Sequence, residues 1–139
     1  MPEPQDLGAE FKRLARNLIE TFERDLNVPL AYDEWSLEYL DGYIVRNRNV
    51  IREKTGGRCT GIVNTIGSFL GECIIVNYGG QWKQSDNGAW GVYFENNSAA
   101  FPFAKVQKAF LEDDLSNSIL SFYRISKRFQ EGKIGGSAI

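Results

Sequence analysis

Thr60–Tyr78 is the least polar run in the chain, and it limits the possible folds more than any other stretch. Ile62, Ile66, Phe69, Leu70 and Cys73 recur at helical spacing, while Val63, Ile74, Ile75 and Val76 spread apolar character around much of the circumference. A helix that is apolar on nearly all sides belongs in the middle of a protein, with other elements packed around it. Gly67 and Gly71, four residues apart, clear a strip along which a neighbour can come close, and Gly79-Gly80 supplies the stop. The run is long enough to cross a bilayer. Asn64, Glu72, Asn77 and three glycines interrupt it, however, and a carboxylate at mid-membrane is costly. The expectation is a buried helix and no membrane partner.

The flanking sequence supplies the elements to bury it. Leu7, Phe11, Leu14, Leu18 and Phe22 form one stripe of a first helix, capped at Asp6 and ended by Asn27-Val28-Pro29. A second helix is expected from Ser36, with Trp35 and Leu40 as a hydrophobic staple and Leu37, Leu40, Ile44 and Ile51 facing inward, until Gly56-Gly57 breaks it. After Gly80 the period changes. Gln81–Gln84 and Ala89–Phe94 flank Ser85-Asp86-Asn87-Gly88, a strong hairpin signal, and Ala99–Phe101 can add a third short strand. Pro102 suits the first turn of a helix carrying Phe103, Val106 and Phe110. A last helix is expected from about Ser116, with Leu115, Ile119, Phe122 and Phe129 on one side and a stop near Gly132. The acidic Glu112-Asp113-Asp114 reads as favourable charge at its N-terminus. The fold class is therefore α+β: N-terminal helices, a central apolar helix, a small antiparallel sheet (hairpin 81–95, third strand near 99–101) and two C-terminal helices. Residues 1–132 read as one domain and 133–139 as a mobile tail.

The chain contains no histidine. Ser-His-Asp and Cys-His catalysis, His-ligated zinc and the usual proton shuttle at neutral pH all go with it. Two cysteines make neither a disulfide framework nor a structural zinc site. The glycines match no phosphate-binding loop. No cofactor and no metal are therefore expected, and an enzyme is the less favoured reading. Residues 1–6 are polar and acidic, unlike a secretory signal, so the expected compartment is the reducing cytoplasm. A formal charge of −2 argues against general nucleic-acid binding.

Glu72, inside the most apolar helix, is the most interesting carboxylate. In a pocket with Tyr78, Arg46 and Arg48 it could do acid–base work; at the helix's polar edge, or paired with Arg46, Arg48 or Arg58, it is structural. Both cysteines are poor nucleophile candidates. Cys73 lies on an apolar stripe and behaves as a small hydrophobe, while Cys59, beside Arg58, is the more reactive of the two, though a structural role is the favoured reading for it as well. The basic segment Arg46, Arg48, Arg52, Lys54 and Arg58 reads first as a solvated face and second as an anion patch. With a two-residue Asn87-Gly88 loop, Trp82 lies opposite Tyr93, and Trp90, Val92 and Phe94 turn to the other face as core. Trp82 and Tyr93 are then either covered by a helix or exposed. If exposed, they form with Asp86 and Glu95 a candidate partner-binding surface, and a longer loop would shift this register.

Several of these segments together resemble a family of small bacterial proteins of unknown function: Ser36-Leu37-x-x-Leu40-Asp41-x-Tyr43-Ile44, Ile66-Gly67-x-x-Leu70-Gly71-Glu72, Gly79-Gly80-x-Trp82, Phe101-Pro102-Phe103-x-Lys105-Val106, and Asp114 to Tyr123. The resemblance spans about Trp35 to Tyr123. It implies a cytoplasmic partner protein of the kind that includes immunity proteins neutralising bacterial toxins, and it gives fold-defining weight to Gly67, Gly71, Glu72, Gly80 and Trp82. The leading expectation is a non-enzymatic protein-binding module whose partner is another protein, such as a toxin domain. The alternative is a small-molecule binder or enzyme using Glu72 in a pocket. A nucleic-acid-associated factor ranks last.

Overall fold

A computed structural model of the chain describes residues 4–112 and 118–132, with side chains from residue 7 onward. In chain order it has α1 (Pro4–Leu26), α2 (Glu34–Lys54), α3 (Thr60–Tyr78), β1 (Gln81–Gln84), β2 (Trp90–Tyr93), β3 (Ala99–Ala100), α4 (Pro102–Leu111) and α5 (Ile119–Gln130). Helices thus flank a small antiparallel sheet of order β1-β2-β3, as the sequence patterns predict. The expected start of the last helix at Ser116, together with Leu115, Asp113, Asp114 and the tail 133–139, lies outside the described residues.

The apolar run is the core. Every residue from Ile66 to Ile74 is buried, and α1, α4, α5 and β2 all pack against α3. Although α3 is long and apolar enough to cross a membrane, its middle is enclosed by these elements. Leu18 and Phe22 from α1, Leu37, Leu40 and Ile44 from α2, Val92 from the sheet, Val106 and Phe110 from α4, and Ile119 and Phe129 from α5 close one continuous cluster around it.

Three local expectations are corrected. α1 begins at Pro4, so Asp6 lies inside its first turn and not at its cap. α2 begins before Ser36: Asp33 is its cap and accepts a hydrogen bond from the Ser36 backbone N–H at 2.9 Å. Trp35 therefore lies inside the first turn. It stacks on Tyr39 one turn later, with centroids 5.9 Å apart, rather than stapling Leu40 from outside the helix.

The hairpin register also differs by one residue. A two-residue Asn-Gly loop needs positive φ at both positions. Only Gly88 adopts it, at φ 90, and Asn87 keeps an ordinary backbone. The loop therefore spans three residues, Asp86 to Gly88, closed by the Ser85 N–H on the Ala89 carbonyl at 2.7 Å. Trp82 pairs with Val92 and Gln84 with Trp90. Because side chains alternate along a strand, Trp82 joins Trp90, Val92 and Phe94 on the inner face. Lys83 and Tyr93 occupy the outer face.

Side chains from distant segments tie the helix ends. Asp41 of α2 accepts from the backbone N–H groups of Ile119 and Leu120, at 2.8 and 3.2 Å, and from the Ser118 hydroxyl at 2.8 Å, which caps α5. At the other end of α5, Asn96 and Ser98 donate to the Phe129 carbonyl. Arg48 donates to the carbonyls of Ala109 and Glu112, and Arg52 to that of Phe110, so both cations sit at the negative end of α4. Two of the five cations in the apparent basic patch are accounted for in this way.

Candidate functional site

The inner face of the hairpin is closed by Trp82. Its indole lies on the strip cleared by Gly71, where a Cβ would come within 2.1 Å of the ring. The ring nitrogen donates to a Glu72 carboxylate oxygen at 2.8 Å. Glu72 is only 4% exposed, so this bond satisfies a polar group that is costly to bury unpaired. Phe11 of α1 packs on the indole with centroids 4.6 Å apart, and Phe103 of α4, seated against Gly67, stacks on it at 5.5 Å. The Gly67/Gly71 strip thus receives two aromatic rings from two elements and fixes how hairpin and α4 dock on α3.

On the outer face the sheet stands away from α4 and α5, leaving an open groove of about 1020 Å³. Its floor is built by the same device. A Cβ at Gly91 would meet the Phe101 ring at 2.8 Å, so glycine there lets Phe101 lie on β2, with the Tyr93 ring edge-on to it at 6.1 Å. Phe122 and Ile125 of α5 and Ala104 of α4 continue the apolar floor, and Ile125 is 41% exposed. Three cations line the walls: Lys83 from β1, Lys105 and Lys108 from α4. Asp86 at the hairpin tip is the one carboxylate among the described residues of the lining.

The residues singled out in the sequence are dispersed by this geometry. Tyr93 and Asp86 line the groove. Trp82 faces the opposite side of the sheet. Glu95 lies at the far end of β2, where it lines a second cavity of about 450 Å³ with Tyr78, Asn96, Glu131 and Gly132. Tyr78 stacks on Tyr123 there, with centroids 4.7 Å apart, and burial raises the phenol pKa of both. Glu72 lines neither of these cavities. Arg46 covers the Tyr39 ring at 5.6 Å and lies against Gly42, and Arg48 is on α4, so the pocket of Glu72, Tyr78, Arg46 and Arg48 is not assembled.

Both cysteines are buried as free thiols. Burial pushes the Cys73 thiol far above its ordinary pKa, with the nearby Asp33 and Glu72 charges adding to the effect, so it stays protonated and inert. Cys59, the more reactive expectation, sits in a left-handed conformation at the start of α3 within hydrogen-bonding reach of the Thr55 hydroxyl, and is not accessible. Among the described residues no group of three or more Cys, Asp or Glu side chains is placed to hold a metal ion.

Lys83, Lys108 and Ile125 are not among the residues the sequence nominates, and Phe122 is expected there only as core. A signal for them exists: Lys105 and Lys108 are three apart on α4, as are Phe122 and Ile125 on α5, spacings that put each pair on one helix face. What the pattern lacks is the hairpin register, which alone brings Lys83 and Tyr93 across from them. No protein-family model matches the chain, and neither a curated protein nor a solved structure does.

Proposed function

We propose that the chain is a protein-binding module without chemistry of its own, and that it engages its partner through the outer face of the hairpin and the groove beside it. The groove carries this reading. It is large and open, with exposed apolar side chains over a floor of Tyr93 and Phe101 and charges at its margin, the composition of a contact site. The competing reading, an enzyme or small-molecule binder centred on Glu72, has little to work with. That carboxylate is engaged by Trp82 and opens into neither cavity.

The specific form we propose is an immunity-type protein that blocks a bacterial toxin domain. Its support is the resemblance of the motifs between Trp35 and Tyr123. A photoreactive amino acid placed at Tyr93 or at Ile125 tests the surface, with Arg24, which lines neither cavity, as the control position. The expected result is one protein adduct formed from both groove positions and not from Arg24, with loss of the partner's toxicity when the chain is added. Adducts formed equally from Arg24 would dismiss the groove as the surface. A partner with no toxic activity would remove the immunity reading and leave the binding module.

A further inference from the structure

The charge on the groove is opposite in sign to that of the chain as a whole. The chain carries a formal −2, whereas among the described residues of the lining Lys83 and Lys108 stand as exposed ammonium groups beside one carboxylate, Asp86. These two lysines also come from both sides of the floor: Lys83 from the sheet and Lys108 from α4. Between them lie the rings of Tyr93, Phe101 and Phe122. A ligand occupying this space meets cations along its edges and apolar surface beneath.

The geometry points to an extended protein segment that alternates acidic with apolar side chains as the occupant of this groove, its carboxylates meeting Lys83 and Lys108 and its apolar side chains covering Phe101, Phe122 and Ile125. This rests on the binding-module reading and names the partner's chemistry. A ligand that is only acidic leaves the apolar floor wet. One that is only apolar leaves ammonium groups stripped of water beside it. A second copy of the chain is a poor fit, because the hairpin edge it would offer carries Lys83 and would set like charges together. Specificity then comes from repulsion as much as attraction: a basic or purely polar segment is rejected by the lysines or by the rings.

Fluorescein-labelled peptides of alternating leucine and glutamate are the probe, read by anisotropy against the intact chain. Peptides of leucine with lysine and of serine with glutamate are the comparisons. The leucine–glutamate peptide is expected to bind at least about tenfold more tightly than either, and progressively more weakly as salt is added. Lys83→Glu and Lys108→Glu each weaken it about tenfold, and the double variant reverses the preference toward leucine–lysine. Equal binding of all three peptides overturns the inference, as does unchanged affinity in charge-reversed variants whose circular dichroism matches the parent. Binding of dodecanoate with no binding of the leucine–glutamate peptide also overturns it, in favour of a small amphiphile. The two readings fail separately. If the protein cross-linked at Tyr93 is attached through a segment without carboxylates, the partner chemistry proposed here falls while the binding module stands; with no adduct at all, both fall.

Discussion

The two faces of the hairpin use the same device and end in opposite states. On the inner face an aromatic ring lies on a glycine, Trp82 on Gly71, and is held by a buried carboxylate and two further rings. On the outer face another ring lies on a glycine, Phe101 on Gly91, but its neighbours are lysines and an open groove. The inner face is satisfied within the molecule, because the buried polar atom there has its partner. The outer face presents apolar surface and charge that nothing else in the described chain covers. One face positions the sheet and the other offers it. The polar tether between Glu72 and Trp82, ten residues apart, is therefore best read as what holds the binding surface in place.

If that division is right, damage to the inner face is paid in stability. Trp82→Ala is expected to cost about 3 kcal/mol in urea unfolding, at the lower end for a large aromatic because the ring is half-buried. It also strands the Glu72 carboxylate. A loss below about 0.5 kcal/mol would break the comparison and return Trp82 to the list of contact residues. The next largest effect comes from pH. Raised folded-state pKa values at Cys73, Tyr78 and Tyr123 mean that the unfolded chain gives up protons first as pH rises. Their contribution is whole below the unfolded thiol pKa of about 8.5 and is lost above it, at about 1.4 kcal/mol per pH unit for Cys73 alone. With no histidine to titrate, stability is expected to stay nearly flat from pH 6 to 8. It should then fall by roughly 2 kcal/mol on reaching pH 10. Cys73→Ala should flatten the fall near pH 9 and leave the later tyrosine part.

How much of this was legible in the sequence depended on whether the cause was local. The helical stripes of α1 and α3, the Gly67/Gly71 strip and the Gly79-Gly80 stop are written in spacings of three and four, and the structure follows them. The surface was not, because it depends on one backbone angle. Asn87-Gly88 is the strongest short signal for a tight loop, yet Asn87 keeps negative φ and Ser85 closes a three-residue loop instead. That one-residue slip moves Trp82 from the outer face to the inner and leaves Tyr93 with Lys83. Arg48 and Arg52 read as a surface face for a similar reason. Their partners are carbonyls about sixty residues away at the end of α4, and no spacing within α2 reveals them.

Asp41 extends the comparison to the frame of the groove. It does not line the groove, but it caps α5, whose Phe122 and Ile125 form one wall. Asp41→Ala is expected to cost about 1 kcal/mol. It should also speed amide exchange in the first turn of α5 ahead of the rest of the core, while Asp41→Asn, which keeps only one of the two accepting oxygens, recovers only part of the loss. Uniform loosening of all five helices would show that the cap holds the whole fold rather than that wall.

The smallest expected change in stability is the most discriminating. Lys83→Ala and Lys108→Ala remove exposed cations with no hydrogen bond to a neighbour in the described structure, so each should change unfolding free energy by no more than about 0.5 kcal/mol. Removing one of two exposed ammonium groups that share a patch should, if anything, relieve repulsion and stabilise slightly. An outer face kept for binding predicts this neutrality together with weakened partner affinity. A loss of 1 kcal/mol or more from either substitution would mean that the lysines are structural, and the two faces of the hairpin would then be doing the same job.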